Sequence, residues 1–180
     1  FASHDPQTPM PPGGAIIKCE WLKYYDADSL PEKFSFVLQS WDTANKSGEL
    51  NDFSVCTTWG VYDSHYYLLD VLRKRLGYPD LRRAVVDQAR KHLPQAILIE
   101  DKASGTSLIQ DLSRDGLYGV KPYLPMPGSD KLLRLYAQSA ELEKGRVLLP
   151  RQAPGPEENT QKRTGLPASQ QHSEGHVTPQ

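Results

Sequence analysis

Phe34–Asp42 sets Phe34, Phe36 and Leu38 at period two, and Phe53–Tyr62 is rich in Val, Thr, Trp and Tyr. Both read as strands, and His65–Leu72 as a third. The polar stretch 45–52 separates the first two, and Asp63-Ser64 is a two-residue turn between the second and third. The three are therefore expected to form an antiparallel meander. Residues 34, 36, 38, 40 and 42 share one side of the first strand, so Asp42 lies at the end of a Phe34-Phe36-Leu38 stripe.

The period then changes. Leu81, Ala84, Val85, Ala89 and Leu93 recur at helical spacing, which predicts a helix over Pro79–Leu93 with its proline near the first turn. Ala96–Ile99 is a short apolar run, as expected of a strand covered on both faces. A helix follows over Ser104–Asp115, with Leu108, Ile109 and Leu112 inward and Gly116 as its stop. Val120–Leu124 is the next strand. A helix from Ser129 to Lys144 turns Leu132, Leu133, Tyr136 and Ala140 inward and ends at Gly145, and Arg146–Leu149 is a last strand. The expected fold is α/β, a mixed sheet in which a three-strand meander is followed by alternating helices and strands. A doubly wound nucleotide-binding fold fits poorly, because it begins with a parallel crossover.

Composition divides the chain into three zones. Residues 1–14 carry four prolines and two glycines and read as an extended linker, and the missing initial Met reads as a piece of a longer protein. Residues 15–154 hold the folded domain. In 155–180 the apolar residues are Leu166, Ala168 and Val177, so burial does not offset ordering entropy and disorder is expected. The 180 residues have a formal net charge of -1, which announces no global attraction to nucleic acid. No apolar run approaches the roughly 20 residues that span a bilayer, so no membrane partner is expected. Cys19 and Cys56 form no spaced motif and read as free, buried thiols of a reducing cytoplasm. His172 and His176 are four apart, but Gly175 between them argues against a helical metal pair.

The candidate chemistry lies in acids at strand ends. Asp42 closes the first strand, and Glu100-Asp101 closes the fourth. Glu100 and Asp101 point to opposite faces, so one of them faces Asp42 if the two strands are neighbours. Two close carboxylates repel unless a cation lies between them. Mg²⁺ takes hard oxygen ligands and keeps waters, and two such ions together activate a water and stabilise the leaving oxygen in phosphodiester cleavage. From spacing alone, ordinary strand-end acids making turns or caps explain the same residues. Asp130 sits in a first helical turn, where the helix dipole already accounts for it. Lys102, Lys131 and Arg134 are candidates for phosphate contacts, and each also reads as a solvated surface charge. Arg73-Lys74-Arg75, with Arg82-Arg83 downstream, is a short basic patch.

Four segments in this order sharpen the picture: Ser40-Trp41-Asp42-Thr43-Ala44, Asn51-Asp52-Phe53-Ser54-Val55, Ile99-Glu100-Asp101-Lys102-Ala103-Ser104-Gly105 and Asp130-Lys131-Leu132-Leu133-Arg134. With Pro12-Gly13-Gly14 before them and Gly145–Pro150 after, they resemble the nuclease domain of the bacteriophage terminase large subunit, over residues 11–154. The resemblance implies a ribonuclease H-like fold and a metal-dependent endonuclease that cuts concatemeric double-stranded DNA during genome packaging. It implies two Mg²⁺ or Mn²⁺ ions, with Asp42 and Glu100 as metal ligands and Asp101 as understudy or outer partner in the catalytic set. The implied partners are DNA, the terminase small subunit and the portal, in the cytoplasm of a bacterial host. A resolvase or integrase is a poorer match to the motif order.

Two departures accompany the resemblance. The chain has no G-x-x-x-x-G-K-[ST], so the family's ATPase motor is absent from it. The family's third metal acid lies beyond the last strand, where this chain has Gly155-Pro156-Glu157-Glu158-Asn159 and no Asp after Asp130. The tail therefore reads as out of frame and non-homologous, as in a decayed prophage gene. The alternative function is an inactive prophage remnant that binds DNA or a partner.

Overall fold

The computed structural model describes residues 16–43, 53–102, 104–125 and 131–152. Among these residues, seven strands and three α-helices follow one another as β1 (Lys23–Tyr25), β2 (Phe36–Asp42), β3 (Ser54–Tyr62), β4 (His65–Lys74), α1 (Tyr78–His92), β5 (Ala96–Glu100), α2 (Ser104–Arg114), β6 (Val120–Tyr123), α3 (Lys131–Glu143) and β7 (Val147–Pro150). The strands form one mixed sheet in the order β1-β7-β4-β3-β2-β5-β6. β2, β3 and β4 are the expected antiparallel meander, and β5, β6, β7 and β1 join in parallel. Asp63 and Ser64 both sit at positive φ, 45° and 60°, the geometry of a tight hairpin turn whose twist matches its strands.

The core lies under α1 and α2. Trp41, Cys56, Ile97 and Ile99 of the sheet meet Leu81, Val85 and Ala89 of α1 and Leu108 and Leu112 of α2. Gln39 stands on this same face and is 0% exposed. Its Nε2 donates to Thr58 Oγ1 at 3.3 Å and to the Gln88 carbonyl of α1 at 3.0 Å, which satisfies the donor side of the buried amide, while its Oε1 has no hydrogen-bond partner among the described residues. The register slips by one residue between Thr58 and Trp59, opposite Leu69 of β4. This bulge puts Asp70 level with Thr58, where it faces the end of α1.

Several expectations are corrected. β1 adds an edge strand that the sequence pattern did not indicate. The Phe34-Phe36-Leu38 stripe breaks at Phe34, whose ring turns onto Gly60 and lies 5.6 Å from that of Tyr67. Gly60 shares its side with Thr58, so Phe34 sits on the Gln39 side while Phe36 stays on the opposite, more open side. Leu93 is 50% exposed because it caps α1 in the left-handed conformation. On α3, Leu132, Tyr136 and Ala140 are exposed, while Leu135, Ser139 and Leu142 are partly covered. Cys56 is buried, and burial pushes its thiol up to about 12, whereas Cys19 is exposed. The expected start of α3 at Ser129 and the 155–180 tail lie outside the described residues.

Candidate functional site

The sheet register brings Asp42 and Glu100 level. β2 and β5 run side by side in parallel with Trp41 opposite Ile99, so the next residue of each strand is the acid. Trp41 and Ile99 point into the helix-covered core, so Asp42 and Glu100 both turn to the opposite face. Neighbouring strands lie roughly 4.8 Å apart, which sets the backbone separation of the two acids. Asp42 is exposed, whereas the Glu100 side chain is 12% exposed. Lys102 Nζ lies 2.6 Å from Glu100 Oε1, an ion pair outside hydrogen-bond geometry. Glu100 thus presents a sheltered carboxylate oxygen beside a cation on a flexible stem.

Asp101 serves the other side of the sheet. Its carboxylate accepts a hydrogen bond from the Thr106 hydroxyl in the first turns of α2, and its backbone N–H donates to the Tyr123 carbonyl at 3.0 Å. The turn from β5 to α2 is tight, with Lys102 N–H donating to the Glu100 carbonyl at 2.9 Å and Gly105 N–H to the Lys102 carbonyl at 2.8 Å. A Cβ on Gly105 would stand 2.0 Å from the Glu100 carbonyl oxygen. Glycine is what lets α2 start this close to the acids.

Lys131 and Arg134 belong to α3. The chain leaves β6 at Tyr123, level with Glu100, and α3 begins after residues 126–130. Arg134 is half-buried; the Lys131 side chain and all of Asp130 lie outside the described residues. Among the described residues no group of three or more His, Cys, Asp or Glu side chains is gathered to hold a metal. The donor set that is described, two carboxylates level on adjacent strands, suits a hard divalent cation that keeps part of its water. Glu157 and Glu158 lie outside the described residues.

A second cluster escaped the sequence reading. Asp70 Oδ2 accepts from His92 Nε2 and from Lys91 Nζ, both at 2.9 Å, at the junction of β4 and α1. The His92 hydrogen bond, and after it the hydrogen bond and charge of Lys91, hold the Asp70 carboxyl well below the usual range against the effect of burial. A histidine in the last turn of a helix and an aspartate inside a strand were the available signal.

A mixed sheet in this order, with carboxylates ending two adjacent central strands, defines the ribonuclease H-like class. The family model of the terminase RNaseH-like domain matches residues 39–163, more than half of the chain, and the chain belongs to that family. The match includes both acids and continues past Pro154 through Glu157 and Glu158. Among solved structures, a large terminase from a thermophilic bacteriophage is similar with a TM-score of 0.56 at 14% identity, covering 77% of this chain and 33% of that one. The large terminase nuclease of another thermophilic phage, G20c, with bound cobalt gives 0.57 at 13% identity, covering 79% and 77%. The same nuclease with bound magnesium gives 0.54 at 12%, covering 74% and 71%. At these identities the likeness shows the fold, and the chain spans about a third of the first of these large terminases. No curated protein sequence matches the chain.

Proposed function

We propose that this chain is a divalent-cation-dependent DNA endonuclease, the nuclease part of a phage terminase large subunit that cuts concatemeric DNA during genome packaging. The observation that carries the reading is the level placement of Asp42 and Glu100 on one open face, within a terminase RNaseH-like domain. Asp42 and Glu100 would hold Mg²⁺ or Mn²⁺, and the G20c nuclease is a relative of the same fold that binds magnesium, zinc and cobalt. When bound, such an ion supplies a water of lowered pKa and charge to stabilise the leaving oxygen. Lys102 pairs with Glu100 through a flexible side chain, which would swing towards a DNA phosphate where a cation binds Glu100. Asp101 acts as a positioning residue, anchoring α2 and with it the end of β5. A second ion requires a further acid, for which Glu157 and Glu158 are the candidates inside the family match. Lys131 and Arg134, in the first turn of α3, would contact DNA phosphates. The small subunit and the portal are the protein partners of this reading, and the host cytoplasm its setting.

The stretch Gly155-Pro156-Glu157-Glu158-Asn159, which carries no Asp where the resemblance expects a third metal acid, supports a second reading, an inactive prophage-derived DNA- or partner-binding remnant. Nicking of supercoiled plasmid with Mn²⁺ separates the two. The enzyme reading expects nicking by the chain and reduction to the EDTA level in Asp42→Ala and Glu100→Ala. Equal absence of nicking in the chain and its Asp42→Ala variant removes the enzyme reading and leaves the remnant.

A further inference from the structure

The edge of the sheet beside Glu100 carries two side chains that no motif singles out. Among the described strands β6 is an outermost one, paired with β5 alone. The parallel register sets Tyr123 level with Glu100 and Lys121 level with Leu98. Val120, level with the buried Ile97, packs on the helix-covered core. Lys121 and Tyr123 therefore alternate to the other face, the face of Glu100 and Asp42. Both are exposed, Tyr123 at 43%. Among the described residues neither side chain has a hydrogen bond or an ion pair. Lys121 lies diagonally from Glu100, roughly 8 Å away at the backbone by strand spacing and rise, while Lys102 is the cation beside Glu100. Ser40, level with Leu98, is exposed too, so the ground in front of the acids is open. The edge itself is kept clear. The Tyr123 carbonyl turns to β5, where it accepts from the Asp101 N–H at 3.0 Å, so Pro122 turns its backbone outward. Proline has no N–H to offer there, which keeps a further strand off this edge.

We propose that Lys121 and Tyr123 form a phosphate seat on the β6 side of the acids. The Lys121 ammonium and the Tyr123 hydroxyl bind phosphates of one DNA strand and hold the adjoining phosphodiester over Asp42 and Glu100. The identity of the ligand rests on the nuclease reading. A polyanionic backbone brought to two carboxylates needs donors beside them, and β6 supplies two of different kinds. The lysine is a point charge on a long flexible stem, so it meets a phosphate at no fixed angle. The phenol donates one directional hydrogen bond from a rigid ring, and it brings no carboxylate to compete for a cation. Lysine thus supplies attraction, and tyrosine supplies register. The two positions are one pleat repeat apart, roughly 6.6 Å, so each side chain takes its own phosphate. Tyr123 stands one strand spacing from Glu100, roughly 4.8 Å at the backbone. A phosphate held by its hydroxyl therefore lies next to the one that the acids face.

The test is equilibrium binding of a fluorescent duplex of about 30 base pairs in EDTA, by anisotropy over a salt series, with circular dichroism melts as a check on folding. Lys121→Ala is expected to lose roughly three- to tenfold in affinity and to lower the slope of log K against log salt by about 0.9, the share of one phosphate. Tyr123→Phe keeps the ring and removes a neutral donor, so binding is expected to weaken several-fold with the slope retained. Lys74→Ala is the control. It removes the same charge from the helix-covered side, where Lys74 is level with Ser54, and should bind as the wild type does. Wild-type affinity and slope in Lys121→Ala, wild-type affinity in Tyr123→Phe, an equal loss in Lys74→Ala, or no duplex binding by the wild type overturns the seat. In nicking with Mn²⁺, both Lys121→Ala and Tyr123→Phe should need more DNA for half-maximal rate. Asp42-dependent nicking together with wild-type binding in both variants removes the seat and leaves the nuclease reading standing. Binding that depends on Lys121 and Tyr123 without any nicking leaves the seat and removes the nuclease.

Discussion

Glu100 and Asp101 are chain neighbours that serve opposite sides of the sheet. Their alternation was legible in the sequence, and so was the point that one of them faces Asp42. Which one does so depends on the pairing of Trp41 with Ile99, a contact between strands more than fifty residues apart that no local pattern reports. Gly105 was legible only as part of a helix start, yet it governs how closely α2 approaches Glu100. Gly105→Ala is expected to destabilise the domain. The gain in helix propensity is at most about 1 kcal/mol. Overpacking against a backbone oxygen costs about 1–3 kcal/mol, and no side-chain rotation relieves it. The midpoint of urea unfolding reads the difference, and an Ala variant as stable as the parent would show that α2 shifts freely.

At the scale of elements, most strands and helices were visible because their periods are clean. β5 is almost wholly apolar, and α2 places Leu108 and Leu112 one turn apart under the sheet. The failures have physical causes. β2 conceals its core side because Gln39 is polar, and its hydrogen bonds to Thr58 and Gln88 are invisible in one dimension. α3 carries apolar residues on more than one side, so Leu132 and Tyr136 suggested a face that the structure leaves exposed. α1 ends differently from its reading, with Leu93 at φ 47° and its N–H donating to the Ala89 carbonyl at 2.9 Å. A left-handed conformation costs an ordinary L-residue roughly 1–2 kcal/mol, and glycine avoids that cost. Since Leu93 is half exposed, Leu93→Gly is expected to raise stability by about 0.5–1 kcal/mol. Leu93→Val, branched at Cβ, is expected to lower it. Thermal melts of the two variants should move in opposite directions.

At the scale of the whole molecule, the meander and the helices are tied by a polar seam as well as by the apolar core. Asp70 on β4 holds His92 and Lys91 at the end of α1. Its carboxyl lies well below the usual range when folded and returns to about 3.9 when unfolded. A depressed carboxyl stabilises the fold above the unfolded value and loses that contribution as pH falls. Asp70→Asn is therefore expected to cost about 1.5–3 kcal/mol near pH 7. The gap between variant and parent should narrow as pH falls from about 5 to 3. Urea titrations across that range check the sign, and a gap that is constant with pH would assign the cost to packing instead. The mixed α/β layout was legible throughout; the seam was not, because Asp70 meets α1 only through a bulge at Leu69. The pairing of β1 with β7 was equally hidden, and it has a mechanical side. Lys23, Tyr24 and Tyr25 lie in parallel register with Leu148, Leu149 and Pro150, and Arg151 N–H donates to the Tyr25 carbonyl at 3.0 Å. Tension drawn between the start of β1 and the far end of β7 loads this pair in shear, so its bonds must give way together rather than peel one by one.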